Sequence, residues 1–568
     1  MLPDSASIRS TWIKDLTLLT LMVSLWLCGL LGIRPLANPD EGRYTEIPRE
    51  MAASGDFVTP RLNGVKYFEK PPLLYWLSAI TFKAFGVNLF TARLWNGLFA
   101  VLGVLMTYVA ARSLHGRTAG IWSAVVLATS LLYYSLTQIV LLDMAVAVEM
   151  AGALFAFMLA AREPRGRKRL AYFVAFYVFM ALATLTKGLI GFMLPGAVAF
   201  LWLLVMNRWR SLWPFYPIVG TILFFGIAAP WHILAARANQ SPIQAHDFAW
   251  FYFIHEHYLR FTTKIHGRYE PWWFFIPIVI VGFFPWTVFA WQALRKALTG
   301  GWKARQQNPE AWFLVIWIAF IVLFFSKSQS KLIPYVLPVF PAIAVLVGHY
   351  LAEAFSPGVL KRGRAAAWVF VGILVLLAVA VVFVPAPKDQ PEFAAQLPFV
   401  KTLLATVLLL GAGSTSIAIR RNQGPPVINC IAGSMILFLL SFTYAAKELD
   451  HSSSKDFAVI LENRIKPEDR LYTVGIYPQD LPVYLNRMVS VVEYEGEMQF
   501  GIDAEPSVSD ERFLRREGFF KQWALPGTAY ALMRVAYYDK WFADTAGPHE
   551  IIGKSEKLIL VVKSQSNS

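Results

Sequence analysis

From Arg112 onward, two apolar spans lie between each consecutive pair of basic clusters, and this rhythm constrains the fold more than anything else in the chain. The clusters are Arg112/Arg117, Arg162 to Arg169, Arg208/Arg210, Arg295 to Arg305, Lys361 to Arg364 and Arg420/Arg421. The spans between them begin near 118 and 144, 171 and 189, 214 and 272, 311 and 335, and 366 and 400. A helix crosses a bilayer with about 20 apolar residues. Loops that stay in the cytoplasm carry the excess of Lys and Arg. An even number of crossings between like clusters therefore places all six on the cytoplasmic side. A last span, about 427 to 446, leads outward to a polar tail.

The first interval tests the count. Between the basic N-terminus (Arg9, Lys14) and Arg112 stand three apolar segments, 16–33, 72–85 and 94–111. The middle one is short, begins Pro-Pro and carries Lys83, which suits an interfacial or re-entrant helix. Thirteen spans result, with the N-terminus inside and the tail outside. The first window, Leu16 to Ile33, is followed by no small-residue cleavage site and is expected to remain as an anchor. The net charge of +15 sits mostly in the short loops, so orientation accounts for it and no nucleic-acid partner is needed. Cys28 and Cys430 both fall in apolar spans, which supports neither a disulfide framework nor a cysteine metal site.

The expected class is an α-helical polytopic membrane protein over 1–446, with a C-terminal α/β domain over 447–568. In the tail, Asp, Glu and Lys return, and strand-like pieces (Leu471 to Tyr477, Met488 to Val492, Tyr530 to Val535, Leu558 to Val562) follow a helical Lys455 to Arg464. The segments 34–90, 137–143, 185–188, 235–271, 326–334 and 386–399 face outward. They hold the polar residues that a membrane protein has least reason to keep.

The densest such run is Asn38-Pro39-Asp40-Glu41-Gly42-Arg43-Tyr44-Thr45-Glu46. Asp40 alone reads as a turn or cap residue after Pro39. In a helix, however, Asp40 and Arg43 share one face. Asp143 is a lone acid between apolar segments, which is costly unless it is paired or wet. Its plainer reading is a helix cap. Arg43, Lys70, Lys187 and Lys331 could be interfacial anchors. Translocated loops are usually poor in cations, though, and several converging there suit an anionic ligand such as a lipid phosphate. His255-Glu256-His257 lacks the i, i+4 spacing of helical zinc sites; His255 with Glu69 is the candidate for a divalent metal such as zinc, and no cofactor is otherwise required.

Pro39-Asp40-Glu41-Gly42-Arg43-Tyr44, Glu69-Lys70-Pro71-Pro72-Leu73, Leu142-Asp143, Lys187-Gly188 and Glu256-His257-Tyr258-Leu259-Arg260-Phe261 together resemble membrane-embedded GT-C glycosyltransferases that use polyprenyl-phosphate sugars. The resemblance covers about 1 to 445. It is to the bacterial branch related to protein O-mannosyltransferases, and within it to the family that moves 4-amino-4-deoxy-L-arabinose to lipid A. It implies Asp40 as the main acidic residue and Asp143 as a second, both catalytic, with Arg43, Lys70 and Arg260 as donor-phosphate contacts; Lys187, Lys331 and Tyr335 are further candidates for substrate binding. It also implies an undecaprenyl-phosphate-linked donor, a lipid A acceptor, a monomer in the bacterial inner membrane with its site facing the periplasm, and a part in polymyxin resistance.

Direct displacement of the lipid phosphate would invert the anomeric centre, with cations neutralising the charge that grows on the leaving group. An ionised phosphate acceptor needs no strong base, whereas a protein hydroxyl would make Asp40 a general base. Protein or other lipid acceptors are the alternative within the class. A secondary transporter fits less well. Transporters tend to show paired repeats and helices broken near the midplane, and here the unusual charges lie in outer loops.

Overall fold

The computed structural model describes residues 5–239, 247–263, 268–356, 362–385, 391–449 and 452–563. Among these, ten helices are long and apolar enough to cross a membrane. Two helix pairs, Arg117–Ala128 with Leu131–Thr137 and Phe275–Gly282 with Thr287–Ala297, pass the same test but bend by 61° and 106°. With each bent pair counted once the spans among the described residues number twelve, and the shorter 17-residue apolar helix Ile190–Met206 stands where the remaining one of the thirteen was expected. The protein is a multi-pass membrane protein.

The two bends repair one another. Backbone groups freed inside a membrane must find protein partners. The amide of Leu131, at the first break, donates to the carbonyl of Phe284 at the second (3.0 Å). Trp286 Nε1 donates to Thr129 Oγ1 (2.9 Å) across the same pair. Pro285, which has no N–H to offer a continuous helix, stands at the sharper bend. Leu142–Arg162 is the central helix, with 94% of its apolar window buried.

The chain folds into two compact units. One comprises Met1–Leu31, Arg93–His232 and Ile254–Glu448; the other comprises Gly32–Ala92, Ile233–Phe253 and Leu449–Ser568. A division after residue 446 follows composition. The compact units follow packing, and they group 32–92 and 233–253 with the tail.

The reason lies in the sheet of the second unit. Its strands are β3 (Arg470–Val474), β4 (Ser490–Val492), β5 (Phe513–Leu514), β6 (Ala529–Arg534), β7 (His549–Lys554) and β8 (Leu558–Lys563), in the order β5-β4-β3-β6-β8-β7. The β5-β4-β3-β6 portion is parallel, and β8 pairs antiparallel with β6 and β7. Side chains alternate across a strand. Tyr472, Val474, Ala531 and Met533 face a cluster with Phe519, Trp523 and Phe542. Leu471, Val491, Leu532 and Leu560 face the other way, onto Ile47, Met51, Leu62, Val65 and Tyr75. These last five residues come from the Asp40–Ser54 helix, from the hairpin of β1 (Arg61–Leu62) and β2 (Val65–Lys66), and from the Leu73–Phe85 helix. A sheet buried on both faces needs this cover.

Leu73–Phe85 is the segment expected not to cross. Its 13 residues extend about 20 Å, against roughly 30 Å of hydrocarbon. It packs on the Asp40–Ser54 helix.

Candidate active site

In the second unit the charged run forms the helix Asp40–Ser54. Pro39 occupies the position before it, and Asp40 and Glu41 fill the first turn, where acids suit the helix dipole. Asp40 does not cap the helix. Its carboxylate is half exposed and pairs with Arg43 Nη2. Glu41 turns inward instead, accepting from Arg34 Nη2 (2.9 Å) and the Ala37 amide (3.0 Å).

Arg43 is buried at the centre of the cluster, at 2% exposure. Its Nη1 donates to Tyr67 Oη (2.9 Å) and pairs with Glu497 from the tail. Its guanidinium lies 5.3 Å from the ring centroid of Tyr44, which stacks on Tyr75. Burial pushes the hydroxyls of Tyr44, Tyr67 and Tyr75 above the ordinary tyrosine range, so all three are protonated at neutral pH. Arg43 Nε and Tyr75 Oη are both buried, and neither has a hydrogen-bond partner among the described residues. Buried polar atoms are nearly always satisfied. Of these two atoms, one lies on the aromatic-lined cation itself and the other on the tyrosine that stacks against Tyr44. Lys70 Nζ donates to the Glu69 carbonyl (2.8 Å) and approaches the Glu69 carboxylate at 3.7 Å, and that carboxylate also acts electrostatically on Arg43.

A buried network supports the cluster from behind. Arg49 grips Glu46 with two bonds of 2.6 Å and reaches Asn486 Oδ1 (2.9 Å). Glu50 accepts from the amides of Asn63 (2.5 Å) and Gly64 (2.9 Å) in the β1-β2 turn. Burial, reinforced by the neighbouring Glu46 carboxylate, pushes Glu50 up to about 8. Asn38 exchanges hydrogen bonds with Asp480. Gly42 permits that approach, since a Cβ there would lie 2.4 Å from the Asp480 nitrogen.

In the first unit, Asp143 stands in the first turn of Leu142–Arg162 and Lys187 in the last turn of Arg167–Lys187. The two form an ion pair, and each also suits the helix end it occupies. Lys187 Nζ lies 4.9 Å from the Tyr335 ring centroid. Asp143 is thus paired, and the residue before its helix is Leu141, so it is no cap. Lys331 donates to the carbonyls of Glu270 and Ser328 (2.7 Å each), and burial pushes its ammonium below the ordinary lysine value. Arg260 Nη1 donates to Glu256 (2.8 Å), and His255 Nδ1 lies 3.2 Å from the same carboxylate.

Glu69 and His255 give one carboxylate and one imidazole. Among the described residues no three of His, Cys, Asp and Glu gather as metal ligands. A zinc site ordinarily takes three or four such groups, of which Glu69 and His255 supply two.

The family model described as dolichyl-phosphate-mannose-protein mannosyltransferase matches residues 14–297, and the aminoarabinose transferase C-terminal domain matches 457–563. The undecaprenyl phosphate-α-4-amino-4-deoxy-L-arabinose arabinosyl transferase 2 of Sodalis glossinidius is 30% identical over 505 residues, 88% of each chain. The chain belongs to the aminoarabinose transferase family. The crystal structure of ArnT from Cupriavidus metallidurans bound to undecaprenyl phosphate agrees: it is 30% identical, with a TM-score of 0.85 over 98% of this chain and 99% of that one. The protein is accordingly a polyprenyl-phosphate-sugar-dependent glycosyltransferase.

Within this family frame, the sequence pointed to Asp40, Arg43, Lys70, Glu69, Asp143, Lys187 and Arg260, and each of them is engaged with another charged or polar group. It missed Glu497, which lies 454 residues from Arg43 in the chain, as well as the tyrosine lining of Tyr44, Tyr67 and Tyr75. The density of aromatic residues around the charged motifs was the one available signal for the tyrosines. No local pattern pointed to Glu497.

Proposed function

We propose that the chain transfers 4-amino-4-deoxy-L-arabinose from undecaprenyl phosphate to a phosphate of lipid A, at the periplasmic face of the bacterial inner membrane, as a monomer. The names of its relatives support the sugar and the donor, and the charge asymmetry of the loops supports the face. The observation that carries the proposal is Arg43: a buried guanidinium in a tyrosine cage, with its Nε unpaired and with carboxylates beside it.

In this mechanism an ionised acceptor oxygen attacks the anomeric carbon. The bond from that carbon to the donor phosphate oxygen breaks, and undecaprenyl phosphate leaves with the electron pair. No proton has to move. The anomeric centre inverts in this single displacement. Arg43, Lys70 and Arg260 hold the donor phosphate, whose charge grows in the transition state, with Arg43 and Arg260 able to grip it bidentately. Lys187, Lys331 and Tyr335 complete the substrate side. The half-exposed carboxylate of Asp40 orients the ammonium of the sugar or stabilises positive charge developing at the anomeric carbon, and Asp143 keeps Lys187 in place. No step is routed through a metal.

Mass spectrometry of lipid A from cells with and without the protein tests the proposal. Lipid A should gain an aminopentose on phosphate only when the protein is present. Unmodified lipid A, with sugar instead on a protein hydroxyl, would overturn the acceptor.

A further inference from the structure

Far in sequence from the residues discussed above, the first unit holds a cavity of about 300 Å³ lined by Arg295, Lys296, Thr299, Tyr350, Glu353 and Arg362. Two basic clusters from different loops meet there, at the ends of the helices Thr287–Ala297 and Phe340–Ala354. Both belong to the loops that charge asymmetry assigns to the cytoplasm.

The walls of the cavity are fixed by contacts of its own. Lys296 is spent on Glu353 in an ion pair. Tyr350 Oη donates to the Arg362 carbonyl (3.0 Å). His349 stacks on His115 with ring centroids 3.8 Å apart, and its Nε2 lies 3.7 Å from Glu353. The one lining acid is therefore paired with Lys296, and it acts on Arg362 only at longer range. The guanidiniums of Arg295 and Arg362 form neither an ion pair nor a hydrogen bond with any described residue. Two unpaired guanidiniums on one concavity repel each other unless an anion lies between them, and their planar forks match a phosphate.

What else lies on the face of Arg295 points to the source of that phosphate. Trp291, four residues earlier on the Thr287–Ala297 helix, shares its face and is 64% exposed. An exposed indole one turn before an unpaired arginine on the same helix face offers apolar surface for an acyl chain beside a cation for the headgroup, the pairing that suits a membrane interface. Basic pockets between spanning helices on the cytoplasmic side suit anionic lipid headgroups.

We propose that this cavity binds the phosphate of an anionic phospholipid from the cytoplasmic leaflet, with Arg295 and Arg362 gripping the phosphate and Trp291 lying against the chain. The site stands apart from the transfer reaction and is independent of the identity of the sugar or the acceptor.

Native mass spectrometry of the full-length protein in detergent, titrated with phosphatidylglycerol, cardiolipin, phosphatidylethanolamine or inorganic phosphate, tests the proposal. The wild type should bind phosphatidylglycerol and cardiolipin, and their apparent affinity should fall about tenfold or more in R295Q/R362Q. R295K/R362K should fall between the two, and E353Q should bind at least as well as wild type. Because both arginines are exposed, thermal unfolding without added lipid should be unchanged in the double variant, and anionic lipid should raise the midpoint of the wild type alone. Equal binding by wild type and R295Q/R362Q would overturn the site. Equal binding of phosphatidylethanolamine would overturn the requirement for an anion, and equal stabilisation by inorganic phosphate would replace the lipid with a soluble phosphate.

Discussion

Replacing Arg43 with lysine keeps the charge and removes the fork. In the native cluster one guanidinium serves three partners at once, with Nη1 on Tyr67 and Glu497 and Nη2 on Asp40. A lysine ammonium is a single point and cannot occupy both Nη positions, so at least one charge-assisted contact is lost. Hydrogen bonds to charged groups contribute about 1.5–3 kcal/mol each. Asp40 and Glu497 are 52% and 32% exposed at the side chain, so water takes over part of what they lose. Stability should therefore fall by only about 1 kcal/mol. The donor phosphate is different, because its charge grows in the transition state and its bidentate grip has no substitute. Losing one such donor costs roughly 2.7–4 kcal/mol, which is about 100- to 1000-fold in rate. The assay is single-turnover transfer from the undecaprenyl-linked sugar to lipid A in detergent, with thermal unfolding measured on the same preparation. R43K should unfold within a few degrees of wild type and transfer about 100-fold more slowly or worse. Transfer within threefold of wild type would show that Arg43 serves only to hold the tyrosine cage together.

Asp40→Asn should abolish transfer and leave thermal unfolding intact, since the half-exposed carboxylate makes one ion pair; a variant that purifies normally and transfers at the wild-type rate would remove Asp40 from the reaction. Glu50 binds its proton more tightly in the folded chain (about 8) than at its ordinary 4.5, so unfolding between those values releases a proton and stability falls as pH rises through that window. The slope is at most about 1.4 kcal/mol per pH unit; chemical unfolding from pH 5 to 9 should show it in wild type and a flatter profile in E50Q, and identical profiles would place the slope on another group. A cysteine at Phe90, which is 43% exposed, in a background lacking Cys28 and Cys430, should react with an impermeant thiol reagent from the periplasm. Labelling from the cytoplasm alone would mean that Leu73–Phe85 crosses the bilayer.

The spans were legible because burial in lipid writes itself into about 20 consecutive residues. The two bent pairs read as ordinary spans, since the Leu131–Phe284 and Trp286–Thr129 bonds that permit the bends join distant residues. In the candidate site, the Asp40–Arg43 pairing was legible from spacing along one helix. Asp143 and Lys187 each stood out as misplaced charges, but their union 44 residues apart needed the fold. Glu46, Arg49 and Glu50 look like the solvated face of a surface helix, yet all three are buried, because the β1-β2 turn and Asn486 supply their partners. Glu497 looked like one more acid in a polar tail. Its pairing with Arg43 gives the tail a place in the site that composition could not reveal.

The central claim is a transfer of a specific sugar between two specific lipids by the purified chain. Incubating the protein with undecaprenyl-phosphate-linked 4-amino-4-deoxy-L-arabinose and lipid A, and analysing the product by mass spectrometry and by the NMR coupling of its anomeric proton, tests this in one tube. The mechanism predicts lipid A bearing one aminopentose on phosphate, with an anomeric configuration opposite to that of the donor. Retention of configuration would contradict the single displacement. Donor consumption without modified lipid A would contradict the acceptor.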